Sequence, residues 1–160
     1  MDDKTEAPEA LSRAQRFLIF TGSAGLLLAM ATDALAVLGR HAGFAVIGSI
    51  EIFQMTIVVA LSSAVLLVSL MNGHATVDMI VGRASDRTKF LLAQIGRVAL
   101  AITFGLIAFG SIWVAYDLWP TTEMTELLSI RVAPFRLVWI IACALAALHF
   151  AAAFVRGLRR

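Results

Sequence analysis

The stretch Ile47–Met71 reads IGSIEIFQMTIVVALSSAVLLVSLM, and Glu51 is its single ionisable side chain. About 20 helical residues cross the hydrocarbon core of a bilayer, so this run is long enough to span one. With no water to bond the backbone inside hydrocarbon, a helix is the form in which one segment satisfies its own N–H and C=O groups. The stretch predicts a membrane-spanning helix.

Three further runs of the same kind lie on either side: Phe17–Gly39, Phe90–Trp119 and Val132–Val155. Polar breaks separate them at Arg40–Val46, Asn72–Lys89 and Pro120–Arg131. The third run would be about 45 Å long at 1.5 Å per residue, more than the core of about 30 Å, so it is expected to tilt or project into the headgroups. The predicted fold class is an all-α integral membrane protein of four transmembrane helices. One membrane domain, 17–155, carries spans at about 17–39, 47–71, 90–119 and 132–155, between a tail at 1–16 and a basic tail at 156–160.

Composition agrees. Of 160 residues, 60% are hydrophobic and 15% charged, and the mean hydropathy is +0.88; a soluble domain has about 45–50% apolar and about 25% charged residues. This excludes a water-soluble enzyme, a disordered regulator and a disulfide scaffold. Cys143 is the only cysteine and sits in an apolar run, away from any metal-ligand spacing. The net charge of +2 comes from arginines at span ends rather than from a basic face, so no nucleic-acid partner is expected.

Lys and Arg set the orientation. Lys4, Arg13, Arg16, Arg83, Arg87, Lys89, Arg97, Arg156, Arg159 and Arg160 fall on one side, and only Arg40, Arg131 and Arg136 on the other. Positive charge accumulates on the cytoplasmic side, which places both termini there. Trp113, Tyr116 and Trp119 gather at the outer end of the third span, as in an interfacial aromatic belt. Phe17–Ala31 has the length of a signal-peptide core, and Ala34-Leu35-Ala36 resembles a cleavage site. The apolar run resumes through Val37 and Leu38, which favours an uncleaved span.

Between spans two and three, Val77, Ile80, Val81 and Ala84 fall at i, i+3, i+4 and i+7. That spacing predicts a short interfacial helix on the cytoplasmic surface, with Thr76 as its N-cap and Ser85 or Asp86 capping the third span. His74 and Asp78, four residues apart, would face Arg97 as a structural latch rather than a proton relay.

Ionisable groups in spans usually face protein or water. Asp33, Glu51, Asp117, Arg40 and Arg136 cluster near the outer ends of the spans. They form either a polar site for a substrate or partner, or a set of interhelical ion pairs that fix packing; their balanced charge favours the second. Glu123 and Glu126 read as a solvated turn. A haem between facing histidines is disfavoured, because His41 lies at the outer face, opposite His74 and His149, and His74 follows Asn72-Gly73 in a polar break. No phosphate loop, HExxH, CxxC or GxSxG motif occurs. Ala142, Cys143, Ala146, Ala147 and Ala151 give the fourth span a small-residue face for close helix approach, within the chain or with a partner.

Taken together, Arg40 closing span one, Gly48-Ser49-x-Glu51 opening span two, Gly73-His74-x-x-Val77-Asp78 after it, a basic start to span three and Thr121, Thr122 and Thr125 in the outer loop carry a resemblance. The chain resembles the small membrane subunit of tripartite ATP-independent periplasmic (TRAP) transporters over roughly Phe17 to the C-terminus. Ile50 and Ile52 flank Glu51 where the family often has a second acid. The resemblance implies a non-catalytic subunit of the bacterial inner membrane that holds no cofactor. It would brace a large membrane subunit carrying the substrate and sodium sites. It would also help a periplasmic binding protein dock for uptake of a dicarboxylate or other organic acid. Arg40, Glu51, His74, Asp78, Arg97 and Arg136 are the candidate partner-contact or structural residues, and membrane lipid is the remaining expected partner. The alternatives are a stand-alone four-helix assembly factor and, more remotely, a haem or quinone anchor.

Overall fold

A computed structural model describes residues 11–71, 86–118 and 123–159. It contains four helices: α1, Arg13–His41; α2, Ser49–Leu70; α3, Asp86–Asp117; and α4, Ala133–Leu158. All four are long and apolar enough to cross a membrane, as the four runs require. The expected interfacial helix, with His74, Thr76, Val77, Asp78 and Ile80, lies outside the described residues.

Capping chemistry, not hydropathy, fixes where α1 begins. The Gln15 N–H donates to Ser12 Oγ (3.2 Å), and the Ser12 N–H donates to Gln15 Oε1 (2.8 Å). This reciprocal box starts the helix at Arg13, ahead of the apolar run. Arg40 occupies the last turn, where its positive charge complements the helix dipole. At the start of α4, Pro134 fits the first turn, where a missing N–H leaves no helical bond unmade.

The three main interfaces among the described helices are α1 with α2, α2 with α4, and α3 with α4. The neighbour order is therefore α1–α2–α4–α3, two helical hairpins side by side. Because Glu51 near the start of α2 bonds the loop just before α4, those two central helices run parallel.

Small residues make the close contacts. Gly25, Ala29, Ala36 and Gly39 are the buried positions of α1, and Thr21 Oγ1 lies 3.0 Å from Ser63 Oγ of α2. On α4, Ala142, Cys143 and Ala146 are 1% exposed or less, so that part of its small-residue face is used within the chain; Ala151 is exposed. Phe150 of α4 stacks on Phe104 of α3, centroids 6.2 Å apart. Most large apolar side chains face outward, among them Leu27, Leu106, Phe109 and Leu148. In a bilayer such surface is solvated by lipid tails or covered by another subunit, and packing rather than a hydrophobic driving force joins the helices.

Candidate functional site

Two polar constructions mark the two ends of the helices. One is built on the segment 123–132. Met124 and Arg131 pair as an isolated antiparallel bridge. The Thr125 N–H donates to Ile130 O (2.9 Å), the Val132 N–H to Glu123 O (3.1 Å), and the Ile130 N–H to Thr125 Oγ1 (3.0 Å). Ser129, at φ 53, makes the reversal, a left-handed conformation uncommon outside glycine.

The tip of this small hairpin turns its amides toward α2, and Glu51 receives them. Glu51 Oε1 accepts from the Leu127 N–H at 2.7 Å and Oε2 from the Leu128 N–H at 2.8 Å. Successive backbone N–H groups in a turn form an anion-binding concavity, and bonds to an ionised acceptor are short and strong. Glu51 itself is only 8% exposed.

Gly48 makes the close approach possible. It caps α2 at φ +75, and a Cβ there would fall 2.5 Å from Leu128 Cγ. Both the backbone conformation and the lack of a side chain are needed for Leu128 to lie across the helix start. At the base of the hairpin, Arg136 Nη2 donates to Glu123 Oε2 at 2.6 Å. The hairpin is thus held at its tip by α2 and at its base by α4.

The other, at the opposite end of the helices, joins the start of α3 to the end of α4. Gln94 is 6% exposed; its Nε2 donates to Phe154 O (3.5 Å), and its Oε1 accepts from Arg97 Nη1 (2.7 Å). Gly157 leaves the room: a Cβ there would lie 2.5 Å from Gln94 Nε2 and 2.9 Å from Arg97 Nη1.

The predicted site residues are therefore dispersed. Glu51 and Arg136 hold the outer hairpin, Arg97 is at the opposite end, and Arg40 is exposed at the end of α1. His74 and Asp78 lie outside the described residues, so the latch to Arg97 does too; Arg97 bonds Gln94 of its own helix instead. The interhelical ion pairs expected among these residues are not formed among the described residues. The Glu51 carboxylate accepts hydrogen bonds from backbone amides rather than pairing with a cation, and Arg136 pairs with Glu123. That corrects the reading of Glu123 as solvated, because a cation four residues into α4 reaches back to it. Glu126 is exposed. Among the described residues, Arg40, Asp33 and Asp117 make no ion pair, and no group of His, Cys, Asp and Glu could hold a metal ion.

Several participants escaped the sequence reading. Gln94, Gly157 and the small residues of α1 were not singled out, although Gly25-x-x-x-Ala29 is the spacing of a close helix contact. The amides of Leu127 and Leu128 carry no side-chain signal at all.

The family model described as "Tripartite ATP-independent periplasmic transporters, DctQ component" matches residues 16–160. No curated protein matches, and no solved structure does.

Proposed function

We propose a bracing and docking role for this chain, which belongs to the DctQ component family of the tripartite ATP-independent periplasmic transporters. A member of that family is a small, multi-pass inner-membrane component of a transport system and not an enzyme. In the proposed role the chain packs beside the large membrane subunit, which carries the substrate and sodium sites. It also offers part of the surface on which the periplasmic binding protein delivers an organic acid, a dicarboxylate or another carboxylate. Both termini lie in the cytoplasm, and the chain holds no cofactor of its own.

The observation that carries this reading is the grip of Glu51 on the amides of Leu127 and Leu128. A buried carboxylate needs such donors, and in meeting that need Glu51 also fixes the loop. A loop that presents a surface gains from being ordered in advance, because less freedom is lost on binding. The grip leaves Leu127 64% exposed on an otherwise fixed hairpin. Glu51 and Arg136 act as positioning residues, and Arg40 adds exposed positive charge on the same side. Arg97 belongs to the cytoplasmic side.

Reconstitution in proteoliposomes tests the role. Sodium-driven uptake of the organic acid is expected only with the large subunit, the binding protein and this chain together. Full uptake without this chain refutes the bracing and docking role, and uptake by this chain alone refutes its accessory character. Glu51→Gln should weaken uptake most at low binding-protein concentration, with the membrane complex still purifying intact.

A further inference from the structure

We infer that the corner where α3 begins and α4 ends is a binding site for the headgroup of an anionic phospholipid, with Arg97 as its fixed cation. Gln94, Arg97, Phe154 and Gly157 meet there, and no carboxylate among the described residues pairs with Arg97.

Depth comes first. Arg97 lies eleven residues into α3, about 16 Å along its axis. From Trp113 and Tyr116 of the outer aromatic belt, roughly 20 residues span the core and end near Gln94 and Arg97. Arg156 stands beside Gly157, whose Cα approaches both of those side chains. Two arginines therefore sit at the level where hydrocarbon gives way to headgroups, and Arg159 lies just beyond. Ile95 is 64% exposed, so α3 offers apolar surface for an acyl chain beside them.

Geometry comes second. A lone arginine at this depth would snorkel freely toward water. Arg97 reaches in one fixed direction, because one of its nitrogens is tied to Gln94 Oε1, one turn nearer the start of α3, and Gln94 is tied in turn to the α4 backbone at Phe154 O. Glycine at 157 is what leaves space for both side chains. The guanidinium keeps its other N–H groups without an acceptor among the described residues, and its planar fork matches phosphate bidentately. Basic pockets between helices on the cytoplasmic side recognise anionic headgroups in this way. The site is independent of the outer hairpin and of the docking role, but its assignment to the cytoplasmic leaflet rests on the proposed orientation.

Native mass spectrometry of the full-length chain, exchanged into equimolar phosphatidylglycerol and phosphatidylcholine of matched tails, tests the site. The wild type should retain phosphatidylglycerol preferentially. Arg97→Gln should cut that preference about fivefold, the factor for losing one cation at a charged headgroup layer. Gly157→Ala, which keeps every charge but pushes Gln94 and Arg97 aside, should cut it as well, whereas Arg131→Gln at the other end should not. An unchanged preference in Arg97→Gln or in Gly157→Ala overturns the site. Displacement of the lipid by millimolar inorganic phosphate overturns it too, because the ligand is then a free anion. Uptake is not read in this experiment, so failure here leaves the docking role standing.

Discussion

Gly25 of α1 and Ala60 of α2 meet backbone to backbone: a Cβ on Gly25 would stand 3.2 Å from the Ala60 nitrogen and 3.1 Å from Thr56 O. Such proximity lets dispersion and the Thr21–Ser63 hydrogen bond join two helices that gain nothing from excluding water. Gly25→Leu should separate them and destabilise the chain by about 1–3 kcal/mol, the usual cost of overpacking. Gly25→Ala should fall between this variant and the wild type. Thermal unfolding in detergent checks the order, and a Gly25→Leu midpoint equal to the wild type's would contradict the contact.

Release of the outer hairpin is the expected result of Glu51→Ala. Without the carboxylate, the amides of Leu127 and Leu128 lose their acceptor and the tip gains freedom. A spin label at Glu126, which is exposed, should report faster motion in Glu51→Ala than in the parent. Glu51→Asp, one methylene shorter, should also loosen the tip, since reach as well as charge is required. Identical spectra in all three would show that the hairpin is ordered by its own hydrogen bonds.

The Glu123–Arg136 pair is partly exposed, at 22% for one side chain and 39% for the other. Solvent screening therefore limits its worth. A double-mutant cycle with Glu123→Gln and Arg136→Gln should give a coupling of about 0.2–1 kcal/mol, smaller in high salt. Coupling that does not respond to salt would mean the pair is shielded in the assembled protein.

Orientation is open to cysteine labelling in a Cys143→Ala background. Glu126→Cys should react with a membrane-impermeant reagent in intact cells, and Arg159→Cys only after the cells are opened. The reverse pattern would invert the topology. Cys143 itself is fully buried and should stay unmodified in the folded wild type.

The helices were readable because spanning a bilayer demands long uninterrupted apolar runs, which few other structures need. Their ends were less so: α1 starts at Arg13 because Ser12 and Gln15 cap one another, a feature hydropathy does not register. Glu51 stood out as an acid inside a span, yet its partners could not be foreseen. They are main-chain amides 76 and 77 residues away, and every residue but proline has such an amide. Arg136 was likewise noticed, while Glu123 was left to solvent, because a pair across a loop and a helix start follows no fixed spacing. Gln94 went unremarked since a neutral amide near a span end is ordinary until Gly157 brings another helix against it.

Among the described residues, the main helix contacts run in the order α1–α2–α4–α3 and do not close on themselves. A β-sheet with unpaired outer strands has edges, and this row of helices has the equivalent: among the described residues, α1 and α3 each have a single main helix neighbour. An edge can be terminated or extended, so the chain taken out of its assembly should be polydisperse, with free flanks finding one another. A larger subunit laid along one edge would terminate it and set the stoichiometry by occupying the position a second copy would otherwise take. Damage should travel one neighbour at a time. Prising α1 from α2 leaves the α2–α4–α3 contacts in place, whereas a fault at the α2–α4 seam divides the layer into its two hairpins.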